Sequence, residues 1–202
     1  MNDIDRALAD IDSIRRRLAA SAVFQGFGPA VVAATGVLAL ATGVLQALAP
    51  EPEALGYFAV WAALAMGCTA LIGWEMVART RRRHGGLADA MLFNAVEHFL
   101  PIGAMGVVVG AILLRFAPDA AWLLPGLWEM LVGVGLFVAV RFLPRSIALA
   151  GAWYFLAGAA TLIFSSPTRG LSPWAMAIPF GVGQILMAAL LRFAQETRDA
   201  ET

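Results

Sequence analysis

The stretch FGPAVVAATGVLALATGVLQAL, residues 27–48, carries no charged side chain and is long enough to cross a lipid bilayer as a helix. Crossing takes about 20 apolar residues, because the helix must match the thickness of the hydrocarbon. Similar windows follow at residues 55–77, 92–114, 121–142, 147–165 and 173–193. One such window could be a buried helix of a soluble protein, but six in series leave too little polar surface for a soluble fold. The sequence therefore predicts an all-α polytopic integral membrane protein with six transmembrane helices.

The composition also indicates a membrane protein, and the sequence divides into three predicted parts. Hydrophobic residues make up 60% of the 202 residues and charged residues 14%, less charge than a soluble domain needs to cover its surface. The single cysteine, Cys68, excludes an intrachain disulfide and a multi-cysteine metal site. We predict a cytoplasmic amphipathic helix at residues 1–22, a six-helix transmembrane domain at 23–194 and a polar cytoplasmic tail at 195–202. Residues 1–22 have no apolar core, so they do not resemble a cleaved signal peptide.

The arginines predict an orientation. All fourteen basic residues are Arg, and the predicted spans place twelve of them on one side of the membrane and only Arg115 and Arg169 on the other. Basic residues concentrate in cytoplasmic loops. We therefore predict a multi-pass protein of the cell inner (cytoplasmic) membrane with both its N-terminus and its C-terminus in the cytoplasm. The use of Arg in place of Lys, together with the many alanines, fits a bacterial protein.

The six spans can also be grouped as three helical hairpins. Each hairpin turns at a proline and returns to an arginine, at Arg79, Arg141 or Arg192, which suggests a pseudo-repeat about an axis along the membrane normal. The alternative is that any hairpin in a bilayer needs such a turn and such an anchor. Gly106 and Gly110 form a GxxxG pair that lets two helices approach closely, either within the chain or between two copies.

The segment before the first span has an apolar stripe. Ile4, Leu8, Ile11, Ile14 and Leu18 recur at helical spacing. Such a helix could lie on the anionic leaflet, pack under its own bundle, or pair with another helix. Residues 2–20 are therefore a candidate contact for a homo-oligomer or a membrane-protein partner, in addition to the lipid bilayer itself.

A polar cluster is predicted at the cytoplasmic edge. In MLFNAVEHFL, residues 91–100, the side chains of Asn94, Glu97 and His98 share one face of a helix. Glu75 and Arg79 in the preceding span can pair at the same depth. The cluster has three interpretations: a structural latch between spans 2 and 3, a site that handles protons or cations, or a site for a partner or lipid.

A second candidate site lies near the middle of the membrane. Glu129 is the only carboxylate predicted that deep, and Gln184 lies at a comparable depth beside prolines and glycines in its own span. Paired interruptions of this kind indicate a midplane binding site. The alternative is a protonated Glu129 that bonds to Gln184 or to a neighbouring carbonyl and serves packing alone.

The sequence lacks the residues that several kinds of chemistry require. With two histidines and no His-Glu-x-x-His, Gly-x-Ser-x-Gly or phosphate-loop motif, the chain predicts no metal site, no cofactor and no nucleic-acid partner. An enzyme would have to use Glu75, Glu97, His98 and Glu129 inside the bilayer, and that question stays open. The leading hypothesis is a non-enzymatic regulatory, sensing or assembly subunit. The alternative is a small proton- or cation-coupled transporter or channel that uses the midplane carboxylate.

Overall fold

The computed structural model describes residues 28–49, 53–84, 88–141, 143–165 and 171–200. A short 3-10 helix at Pro118–Leu123 precedes the fourth α-helix, and no strand occurs in the described ranges. The six α-helices are α1 Pro29–Leu48, α2 Ala54–His84, α3 Ala88–Phe116, α4 Leu124–Ala139, α5 Ile147–Phe164 and α6 Trp174–Asp199. All six provide spans long and apolar enough to cross a membrane, with the 3-10 helix included in the fourth. The predicted all-α, six-span fold is confirmed.

The ends of α2 and α6 extend furthest beyond the predicted spans. α2 continues past Arg79 to His84, so the arginines that follow the predicted span form the last turns of a helix. Arginine is a good helix former, and the apolar part of α2 provides a helix that the arginines extend. α6 likewise continues through residues 195–199, most of the predicted polar tail. The predicted amphipathic helix at 1–22, with the partner segment 2–20, lies outside the described residues and stays a prediction.

Successive helices run antiparallel, which gives the bundle two distinct ends. The start of α1 meets the end of α2, because Gly28 lies against Glu75 and Arg79. The end of α1 meets the start of α2, where the Trp61 indole donates to Gln46 Oε1 at 2.8 Å. We call the end where α2, α4 and α6 finish the Arg-rich end, and the other the opposite end.

The closest backbone packing joins α4 to α5. A Cβ on Gly126 would lie 2.7 Å from the Gly158 carbonyl oxygen, and a Cβ on Gly158 would lie 2.6 Å from the Gly126 carbonyl oxygen. One heptad along, Gly133 and Gly151 repeat this reciprocal contact at 2.9 and 3.2 Å. A Cβ at Gly126, Gly133 or Gly158 would lie closer than 3.0 Å to the facing carbonyl oxygen, so the glycines let the two helix backbones come together.

The predicted GxxxG pair packs within the chain. The Trp128 indole of α4 lies over Gly106 and Gly110 of α3, and its Nε1 donates to the Gly106 carbonyl at 3.0 Å. The two glycines therefore pack against a helix of the same chain, which is the first of the two alternatives predicted for them. The most extensive packing joins α4 to α5 and α1 to α6, and none of the three predicted hairpins pairs these helices. The pseudo-repeat stays a prediction.

Candidate functional site

Glu129 lies in the second turn of α4 and is completely buried, with 0% of its surface exposed. Its Oε2 accepts a hydrogen bond of 3.1 Å from the Thr161 hydroxyl of α5, whereas Oε1 is buried without a partner. Among the described residues, salt bridges join Arg79 to Glu75 and Arg192 to Glu196, and none reaches Glu129. Glu129 is therefore a buried carboxyl that uses only one of its two oxygens.

Local helix geometry brings Glu129 to Thr161. Gly126 and Gly158 fix the close approach of α4 and α5, and each of the two polar residues follows its glycine by three positions, on the same helix face. Helical side chains lean toward the N-terminus of their own helix. Because the helices are antiparallel, the two side chains lean toward each other. Pro125 stands in the first turn of α4, where it removes no helical hydrogen bond.

Two phenols complete the surroundings of this carboxyl. Tyr57 of α2 and Tyr154 of α5 are fully buried and lie close enough to Glu129 to interact with its charge. Both hydroxyls donate to backbone carbonyls: Tyr57 to Ser172 at 2.9 Å and Tyr154 to Phe180 at 3.4 Å. Glu129, Thr161, Tyr57 and Tyr154 are called the Glu129 cluster below.

Gln184, which was predicted to share a site with Glu129, lies beside Tyr154 of the Glu129 cluster. Gln184 of α6 forms no hydrogen bond with Glu129, and its own Oε1 is buried without a partner. Its Cβ faces α1, where a Cβ on Gly36 would be 3.0 Å away. The joint site of Glu129 and Gln184 stays a prediction. The sequence analysis missed Thr161, although its position three residues after Gly158 matches that of Glu129 after Gly126.

The predicted edge cluster is present in part. Arg79 donates to Glu75 Oε1 from Nη2 at 2.7 Å and from Nε at 3.2 Å, as their spacing predicts. A Cβ on Gly28 would lie 2.8 Å from both side chains, so the ion pair packs against the start of α1. The latch interpretation had predicted a contact with α3. The unpaired N–H groups of that helix start favour a nearby carboxylate.

Of the three edge-cluster members on α3, the structure describes only the side chain of Glu97. Glu97 is exposed and takes no part in the two bonds between Arg79 and Glu75. Asn94 and His98 belong to α3, but their side chains lie outside the described set. Within the part of the chain that the structure describes, no group of three or more His, Cys, Asp and Glu side chains is placed to hold a metal ion.

No protein-family model matches this chain, and no curated protein or solved structure is similar to it. The class of protein is defined by its own architecture: it is an all-α, multi-pass membrane protein. Its two geometrically distinct features are a buried carboxyl between α4 and α5 and an ion pair at the start of α1.

Proposed function

We propose that this protein is a non-enzymatic regulatory, sensing or assembly subunit of a bacterial inner membrane, and that it binds a partner helix along α2 and α3. Uneven burial carries this proposal. In the most apolar window of each helix, 6% of the residues are buried in α3 and 17% in α2, against 44% in α6. Helices in lipid associate through close packing, and α2 and α3 leave most of their packing surface unused.

The surface of α2 and α3 has features that suit a helix. A Cβ on Gly67 of α2 or on Gly103 of α3 would have nothing within 4 Å. Small residues of this kind let a second backbone approach closely, whereas lipid chains gain little from them. The exposed Trp74 and Glu97 lie toward the Arg-rich end of the same two helices and offer a partner an indole and a carboxylate.

The proposal includes an orientation. The last turns of α2 and α6 carry Arg79, Arg81 and Arg192, and basic residues concentrate on the cytoplasmic side. We place the Arg-rich end in the cytoplasm. Residues 2–20, which precede α1 at that end, are a second element that contributes to the partner contact.

Site-directed photo-crosslinking in native membranes tests the subunit function. A photoreactive amino acid replaces Val107, at the middle of α3, and in a matched variant Leu156, at the middle of α5; these side chains are 71% and 67% exposed. We expect one adduct of discrete mass from position 107 and none from position 156. Twice the mass of the chain identifies a second copy, and another mass identifies a different partner. Only lipid adducts at both positions would contradict the proposal.

Deletion of residues 2–20 separates the two contact elements. We expect the adduct from position 107 to weaken, and the oligomer or co-purifying partner to be lost on native gels. A deletion variant that crosslinks and migrates like the parent removes the N-terminal segment from the proposal and leaves the surface of α2 and α3 in it.

Proton- or cation-coupled transport is a second candidate function, and the buried carboxyl favours it. Ionisable groups within a membrane are costly to bury and mark ion or proton pathways. In liposomes, Glu129→Gln should abolish coupled flux while the thermal unfolding profile stays unchanged. Glu196→Gln, at an exposed position, is the matched control and should retain flux. A parent protein that supports no flux contradicts this candidate.

A further inference from the structure

We propose that the Glu129 carboxyl is a proton-binding site that exchanges its proton with water at the opposite end of the bundle. The inference deepens the second candidate function, since it names the ligand and the side from which it arrives. The inference rests on the transport function only because both involve Glu129. A site that binds a proton without transporting it would equally serve a sensing subunit.

The contacts of Glu129 suit a proton better than a metal ion. One oxygen, Oε1, lacks a partner. Thr161 donates to the other oxygen, and the Tyr57 and Tyr154 hydroxyls donate to backbone carbonyls. A metal cation without its water requires several oxygen ligands. A proton requires one, and it removes the charge whose burial costs several kcal/mol.

No neighbouring charge replaces the proton. Among the described residues, the titratable groups on which the charge of Glu129 acts are the phenols of Tyr57 on α2 and Tyr154 on α5. The one hydrogen bond that the described residues donate to this carboxyl comes from the Thr161 hydroxyl. An ionised Glu129 would therefore be a buried charge with one hydrogen bond, and the neutral acid is the state that these surroundings favour.

The route to water is shorter toward the opposite end. Thr161 and Tyr57 each lie three residues from the end of their helix on that side. The Tyr57 hydroxyl bonds to the carbonyl of Ser172, an exposed residue. Toward the Arg-rich end, residues 130–139 carry only apolar side chains.

Tyr57 is the residue that relays the proton between water and Glu129. In the structure the Tyr57 hydroxyl donates to the Ser172 carbonyl and Glu129 Oε1 has no partner, so the hydroxyl must turn from that carbonyl to Oε1. A hydronium ion at the opposite end then gives a proton to the Tyr57 oxygen and becomes water, while Tyr57 passes its own proton to Oε1. The carboxylate becomes a neutral acid, Tyr57 is unchanged, and one proton has moved. Release follows the same path in reverse. The hydrogen bond from Thr161 to Oε2 persists in both states, because that oxygen accepts in each.

Infrared difference spectroscopy of the full chain in proteoliposomes tests the site. We expect the carbonyl stretch of a protonated carboxylic acid, lost as the pH rises and absent in Glu129→Gln. Thr161→Val should shift this band, since it removes the donor to Oε2, and this shift assigns the band even if Glu129→Gln fails to fold. A parent without a titrating band, or a band that Na⁺ removes at constant pH, overturns the proposal.

The route has its own measurement. After a rapid rise in pH on the side of the opposite end, the band should decay at least ~10-fold more slowly in Tyr57→Phe, because a positioned proton donor contributes about 10²–10⁴-fold to a transfer rate. Thr42→Val, which removes a hydroxyl that bonds only to Leu38 of its own helix, is the control and should decay like the parent. Equal rates in all three proteins overturn the proposed route. A titrating band without flux would remove the transport function and keep the proton site.

Discussion

The interface of α4 with α5 and the outward surface of α2 and α3 use glycine in opposite ways. Gly126 and Gly133 face Gly158 and Gly151, and each glycine of a pair lies against the carbonyl of the other. Gly67 and Gly103 face nothing within 4 Å. Glycine in an apolar helix therefore does not by itself indicate packing. A facing glycine on the neighbouring helix, in register, distinguishes the two regions.

Buried polarity follows the same division. The fully buried Glu129 lies where the backbones of α4 and α5 are closest, whereas Glu97 on α3 is exposed. A buried carboxyl needs partners held at fixed distances, and the glycine contacts fix the distance between the two helices. The loosely packed helices provide no comparable support, so their carboxylate remains on the surface.

The largest difference should come from one added methyl group. Gly158→Ala would place its Cβ 2.6 Å from the Gly126 carbonyl oxygen, and rigid backbone must then shift. We expect a loss of about 1–3 kcal/mol in the free energy of unfolding, measured by SDS titration in detergent. Gly103→Ala, with open space around it, is the control and should stay within about 0.5 kcal/mol. Equal losses would end the contrast between the two regions.

The next-largest effect on stability should come from the hydrogen bond between Thr161 and Glu129. Thr161→Val leaves Glu129 Oε2 buried without its donor, which should lower the free energy of unfolding by about 1–3 kcal/mol. Thr42→Val is the matched change, because the Thr42 hydroxyl bonds only to Leu38 of its own helix, and it should stay within about 0.5 kcal/mol. A smaller loss in Thr161→Val than in Thr42→Val would show that the bond to Glu129 contributes nothing.

The six spans could be predicted because lipid imposes a simple rule on each segment separately: enough consecutive apolar residues to cross the hydrocarbon. The pairing of Glu75 with Arg79 could also be predicted, because it depends only on the spacing of two residues within one helix. Both are local properties of the sequence, and neither requires knowledge of which helices are neighbours.

Contacts between helices could not be predicted in this way. Thr161 was missed as the hydrogen-bond donor to Glu129, because the sequence indicates the depth of a residue in the membrane but not the order of the helices around the bundle. Likewise, Glu75 and Arg79 were expected against α3 and lie against Gly28 at the start of α1. Depth restricts a residue to a layer, and the neighbours within that layer depend on packing that the sequence pattern does not encode.

The attachment of α3 to α4 should show a smaller effect. Trp128→Phe keeps an aromatic ring over Gly110 but removes the donor to the Gly106 carbonyl. We expect a loss of about 0.5–1.5 kcal/mol, again by SDS titration. Trp74→Phe, at an exposed position on α2, is the control and should change the free energy of unfolding less. The reverse order would show that α3 is held mainly by other contacts.

The smallest effect compares two ion pairs of identical spacing. Glu75 and Arg79 are 29% and 25% exposed and lie at the start of α1, whereas Glu196 and Arg192 are 56% and 76% exposed. Double-mutant cycles, with Gln replacing each partner, should give a coupling of up to about 1 kcal/mol for the first pair and about 0.3 kcal/mol for the second. Partial burial reduces screening by salt, and the positive end of α1 adds to the attraction for Glu75. Raising the ionic strength should therefore weaken the second coupling first. If the two couplings are equal and fall together, Gly28 and the start of α1 provide no special environment for Glu75.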